Sequence, residues 1–399
     1  MSGIEERDAL TRELHERADD MGGHPIALEA VKRSARRIQW WHRVASGVAA
    51  AVVLAVAVPA GLAVGHSVTD SQGPVGQPTP TVTPTPKGPV RIVTQGLDQG
   101  EQPQVDYFRK GDLVTPEGVV KFPVRLQGAV RDGHGWLGLG YDGQGAEMFE
   151  LGEDGLVHSH GSVGETMVVA PDHSRLANVR VGDSGGQTLV DRSLPGGGAA
   201  TQTWHFPGFP AISPVGFVDQ DAVLYRTEGK NQRVGIALPG REPRELEGLI
   251  GASSASTATG LVAGMTSAED FGSCWAVVAP LRSGTDPLWK TCDYSLDEFS
   301  PDGRFIHASP PYHDGLGQGS LTILDARTGN VVADYQMDKD SDITLTGATW
   351  EDSDTVLAIA VDGSTCTILR MGVDGRLEQA GEPVKGDPLS DQVLWFPMS

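Results

Sequence analysis

The sequence predicts an all-β body, a β-propeller of seven blades or six, held behind one transmembrane helix and a short helical leader. Composition is the first observation: 52 Gly and 26 Pro among 399 residues, with aromatics at 6%, fit many short strands joined by tight turns. The second is a repeat, because turn-then-strand units recur at intervals of roughly 40–50 residues, the length of a four-stranded blade. The third is the lack of any long amphipathic helical pattern from about Val90 onward.

Residues 1–43 form a cytoplasmic leader whose acidic and basic side chains balance, so the whole charge of −21 belongs to the rest of the chain. Leu10, Leu14, Ala18 and Met21 fall on roughly one helical face, until His24-Pro25 breaks the pattern. A second helix can run from Ile26 toward Trp41 with its basic side against lipid headgroups. The leader resembles the short basic cytoplasmic leaders of many single-pass actinobacterial proteins. It lacks the His and Cys set of a zinc anti-sigma domain. Two readings stand: a topogenic segment alone, or one that engages a cytoplasmic partner.

Residues 44–65 carry no charge and, at about 1.5 Å rise per residue, can cross a hydrocarbon core of roughly 30 Å. Lys32, Arg33, Arg36, Arg37 and Arg43 precede the run and Asp70 follows it, so the N-terminus is expected in the cytoplasm. Trp40 and Trp41 suit an interfacial anchor. A signal peptide cleaved near Ala63-Val-Gly65 is the competing reading, but the leading region is longer than such a peptide allows. No Cys follows the run at a lipid-anchor position. The bilayer is thus the first expected partner, through residues 44–65. Residues 66–90 are a Pro/Thr-rich linker, extended and polyproline-like.

Residues 91–399 are the propeller. Their acidity repels phosphate backbones, which argues against a nucleic-acid partner. The clearest repeat is Phe299-Ser-Pro-Asp-Gly-Arg-Phe-Ile-His-Ala-Ser309, continued by Ser320-Leu-Thr-Ile-Leu-Asp-Ala-Arg-Thr-Gly-Asn-Val-Val-Ala-Asp-Tyr335. Pro301 and Gly303 suit a tight turn; strands follow at Phe305, Leu321 and Val331. This resembles a blade of a TolB-like or WD-repeat β-propeller, in which a Ser-Pro-Asp-Gly turn opens each blade. Weaker copies stand at Asp132-Gly133, Pro171-Asp172, Asp219-Gln-Asp221, Thr259-Gly260 and Asp352-Ser-Asp354. A seventh blade can be assembled from both ends, with Gln392-Val-Leu-Trp-Phe396 joining strands at Val105–Phe108, Asp112–Val114 and Val119–Phe122. Such sharing closes the ring and removes exposed edges.

Candidate chemistry is sparse. Gly182-Asp-Ser-Gly-Gly186 looks like a serine-protease nucleophile motif but has no upstream His and Asp to activate it, so Ser184 reads as a hairpin-turn residue. His158 and His160, with His134 and His173 near in sequence, lack Cys or acidic partners at metal spacing. Asp338-Lys-Asp-Ser-Asp342 resembles the start of a calcium loop without its Gly and distal Glu, and reads as a solvated connection between blades. Trp136, Trp204, Trp275, Trp289, Trp350 and Trp395 are expected in the core, with sugar stacking as the alternative. No catalytic residue, metal ligand or cofactor is assigned.

The expected function is a non-catalytic binding or interaction module at the cell envelope, its propeller face meeting an envelope protein, peptide or glycan. The alternatives are a transmembrane sensor acting through residues 1–43, and a propeller hydrolase or lyase with its site over the channel. An exported body meets an oxidising compartment. Cys274 and Cys292 flank a turn near Ser283-Gly284, which brings them into register for a disulfide, while Cys366 belongs to another blade and stays a buried thiol.

Overall fold

A computed structural model describes residues 88–122, 126–131, 135–141, 146–152, 157–182, 186–194, 201–209, 211–229, 232–269, 272–311, 317–386 and 393–397. The leader at 1–43, the apolar run at 44–65 and the linker as far as residue 87 lie outside them. Among the described residues, no helix is long and apolar enough to cross a membrane, and every regular element is a strand.

The strands make seven blades. Blade 4 is typical: Ile212–Phe217 innermost, then Val223–Thr227, Val234–Ala237 and Arg244–Glu245 outward, each antiparallel to the last. Blade 5 runs through Gly251–Ser256, Leu261–Glu269, Gly272–Val278 and Pro287–Thr291; blade 6 through Ser295–Phe299, Phe305–Ser309, Ser320–Asp325 and Val331–Gln336; blade 7 through Ile343–Trp350, Thr355–Asp362, Thr365–Gly372 and Leu377–Lys385. Blades 2 and 3 share the long strand Val157–Val169. Its first half pairs with Ala146–Gly152 as the outer strand of blade 2, and its second half pairs with Arg175–Val181 as the inner strand of blade 3. Blade 1 takes Tyr107–Arg109, Asp112–Thr115 and Gly118–Val120 from one end of the body and its innermost strand, Leu394–Trp395, from the other. The expected closure by both ends is present.

Seven apolar clusters fill the spaces between neighbouring blades, and together they complete the ring. The one that joins last blade to first holds Leu357 and Ile359 against Val105 and Tyr107. This geometry explains why the strands read as short apolar runs. Phe305 packs toward blade 7 while Ile306 packs toward blade 5, so both faces are buried and period-two alternation is lost.

The recurring turn is a local hydrogen-bonding device. Asp302 Oδ1 accepts from Arg304 N at 3.1 Å and from the Ser300 hydroxyl at 2.8 Å, and Phe305 N donates to Ser300 Oγ at 3.0 Å. Gly303 has φ 70° and stands against Ser256, where a Cβ would come within 2.3 Å of Oγ. Asp172, Asp219 and Asp352 accept from backbone N–H groups two residues on in the same way. One expectation is corrected here. The turn does not open a blade; it joins the innermost strand to the second. In blade 6 the missed strand is Ser295–Phe299, whose Asp297-Glu298 pair disguises it.

Two further features were not expected. Before entering blade 1, Val90–Arg91 adds a parallel strand to the outer edge of blade 6, and Gln99–Gly100 does the same on blade 7, covering edges that would otherwise be bare. Arg370 fastens this strap: it pairs with Glu351 and Glu378 and donates to the Glu101 carbonyl, while Gln104 N donates to Glu351. Outer strands also reach forward to the next blade's hairpin turn. Trp204 Nε1 donates to the Leu238 and Arg241 carbonyls, Arg244 to Pro280 at 2.9 Å, Trp289 Nε1 to Ala326 at 2.9 Å, and Tyr335 Oη to Gly372 and Arg376.

Candidate functional site at the channel mouth

The inner strands of blades 3 to 7 run out at one mouth of the central channel. There, Val168, Phe217, Ser254, Glu298 and Trp350 line a cavity of about 50 Å³ together with the turn residues Thr257, Ser300 and Pro301. The walls are part apolar and part hydroxyl. Ser254 and Ser256 are 1% and 4% exposed, and their hydroxyls have no hydrogen-bond partner among the described residues.

A β-bulge concentrates charge beside this mouth. In blade 6, Leu296 stands opposite Ala308 and Phe299 opposite Ile306, so the two residues between, Asp297 and Glu298, share the single partner His307. The His307 ring is buried, with Nδ1 3.6 Å from Asp297 and Nε2 3.8 Å from Glu298. Burial alone would lower the imidazole pKa, but the two carboxylates outweigh it and hold it at about 9. Burial pushes the Glu298 carboxyl up, against the pull of His307 and Thr349. The Thr349 hydroxyl donates to Glu298 Oε2 at 3.3 Å, and Trp350 Nε1 donates to the Glu298 carbonyl at 2.9 Å. Blade 7 thereby fixes the acid that blade 6 presents.

This cluster of two acids and a histidine was not singled out from the sequence. Its signal was available: two consecutive carboxylates sit immediately before the best copy of the turn, where an inner strand must bury them. Chemically, the arrangement holds a buried imidazole between two carboxyl groups. Both ring nitrogens face carboxylates rather than a hydroxyl nucleophile.

Among the described residues, those singled out from the sequence are not brought together. Residues 183–185 lie outside the described set, so Ser184 has no structural account; its flanks, Arg175–Val181 and Gln187–Ser193, form the expected hairpin, with Gly182 N bonded to Gly186 O at 2.9 Å. His134 is likewise outside. His158 stands opposite Glu150 in the blade 2 ladder, whereas His173 lies in the blade 3 turn at φ 53° with its pKa lowered, chiefly by burial. Among the described residues no group of three His, Cys, Asp or Glu side chains is placed to hold a metal. Residues 338–342 connect blades 6 and 7, and Asp338 pairs with Arg91. Trp136, Trp204 and Trp350 sit in the clusters between blades, and Trp275, Trp289 and Trp395 pack against them. The disulfide joins Cys274 to Cys292 with Cα atoms 4.1 Å apart, and Cys366 is a buried free thiol.

No protein-family model matches the sequence, and no curated protein matches it. Solved structures resemble the body in fold. TolB from Acinetobacter baumannii aligns at 11% identity over 73% of this chain and 67% of its own, with a TM-score of 0.38. A puromycin hydrolase mutant aligns at 13% identity over 77% of this chain but only 58% of its own, with a TM-score of 0.49. The β-propeller domain of the Trilobed protease from Pyrococcus furiosus aligns at 11% identity over 65% and 87%, with a TM-score of 0.44. These are likenesses of architecture alone. The strand ladders of this chain itself make the seven blades.

Proposed function

We propose that this chain is a membrane-anchored, extracytoplasmic β-propeller, a non-catalytic binding or interaction module of the cell envelope whose channel mouth receives an envelope protein, peptide or glycan. The observation that carries the reading is the mouth itself. Inner strands of five blades converge on a small opening with unpartnered hydroxyls and a fixed carboxylate. Recognition sites have this character, a mostly apolar wall with a few placed polar groups. The apolar run at 44–65 with its basic flank supports the anchor, and a disulfide suits an oxidising compartment. A C-terminal reporter that works only outside the cytoplasm should be active and should pellet with membranes; activity of a cytoplasm-only reporter contradicts the reading.

The hydrolase or lyase reading keeps one observation in its favour, the convergence of Asp297, Glu298 and His307 beside the channel. The buried imidazole flanked by acids on both nitrogens supports a charge-compensated support rather than a general base. Labelling of Ser184 by a serine-reactive phosphonate would reverse that preference.

A further inference from the structure

The mouth is small, acceptor-rich and electrically unbalanced. Its volume of about 50 Å³ exceeds the roughly 10–15 Å³ needed for one water but is far below the several hundred Å³ of a whole-metabolite pocket. Only the head of a ligand fits. Two carboxyl groups, Asp297 and Glu298, face one imidazole, His307, so acids outnumber bases there, and the lining contains no Lys or Arg among the described residues. Glu298 Oε2 is engaged by Thr349. On the facing blade, the hydroxyls of Ser254 and Ser256 are buried without partners. Buried polar atoms normally find partners, so these two hydroxyls stand open to one. Around them stand Phe217, Phe299 and Trp350, apolar surfaces suited to a methylene stem.

We propose, resting on the binding-module reading above, that the channel mouth is a receptor site for a primary ammonium on an apolar stem. Its three donors go to Glu298, Ser254 and Ser256, and its charge replaces the missing counter-cation. A ring of aromatic and aliphatic walls behind a single carboxylate also disfavours anions and neutral heads, the first by charge and the second by leaving buried acceptors unmet. A lysine side chain and a chain's N-terminal amine both present this group.

Calorimetric titration of the purified full chain in detergent distinguishes the sources and tests the claim. The probes are N-acetyl-lysine amide (side-chain ammonium), norleucine amide (α-ammonium) and N-acetyl-norleucine amide (neutral). At least one charged probe should bind tenfold or more tighter than the neutral one; whichever does so names the source. Glu298→Gln should remove that preference, and Ser254→Ala should reduce it several-fold while leaving the melting transition in place, which guards against loss of fold in the first variant. Equal binding of all three probes, no binding of any, or a preference that survives both substitutions overturns the proposal. An envelope partner that still cross-links at the mouth under those outcomes would keep the binding-module reading and reject only the ammonium.

Discussion

His307 is a base enclosed by two acids, and its protonation is tied to how blades 6 and 7 pack. Its pKa is raised from 6.5 to about 9, so it contributes stability that is fully present below pH 6.5 and lost as pH rises through 9. At 1.36 kcal/mol per unit the contribution is about 3 kcal/mol. Thermal unfolding of the wild type should therefore weaken between about pH 7 and 9.5, and His307→Gln should flatten that dependence; a slope that survives the substitution assigns it elsewhere. The disulfide gives a second residue-scale prediction. Its ends are 18 residues apart, and a loop of that size contributes roughly 3 kcal/mol in the chain-entropy model, so Cys274→Ser should lower the free energy of unfolding by that order, whereas Cys366→Ser should not reproduce the effect. The cysteine pair was legible because one hairpin turn sets its register. Glu298 and His307 were not, because nothing local reveals that a bulge will aim two consecutive acids at one ring.

At the scale of elements, what could be read was what is held together locally. Asp172, Asp219, Asp302 and Asp352 each hydrogen-bond the backbone a few residues on, so the turn carries its own signature in any blade. The inner strand before the turn was hidden in blade 6 by Asp297-Glu298, and the strap strands at Val90–Arg91 and Gln99–Gly100 were hidden because two residues have no period. Both depend on partners more than two hundred residues away or on burial that only the ring creates. The forward contacts between blades are likewise non-local. Tyr335→Phe removes the hydroxyl that serves the buried Gly372 carbonyl and the Arg376 carbonyl of blade 7 and should cost about 1–3 kcal/mol, measured by denaturant unfolding with an unchanged m-value. Removing residues 390–399 deletes the inner strand of blade 1 together with the Val393 and Leu394 contribution to the closing cluster. The whole body should melt earlier as one transition; wild-type melting of that truncation would refute the closure.

At the scale of the molecule, a ring of seven blades turns a repeated local unit into one mouth, and a net charge of −21 favours cationic over anionic partners. The N-terminal strap leaves the outer edges of blades 6 and 7, so the polypeptide enters the body at the rim rather than through either end of the channel. The proposed binding role requires that this mouth, outside the cytoplasm, is where the protein meets its partner. Photo-cross-linking in living cells tests it most directly, with a photoreactive residue placed in the full chain either at Thr257, on the mouth, or at Leu288, on the exposed outer strand of blade 5. Adducts with an envelope component are expected from position 257 and none from position 288. Adducts from position 288 alone, or with cytoplasmic proteins from either position, would contradict it.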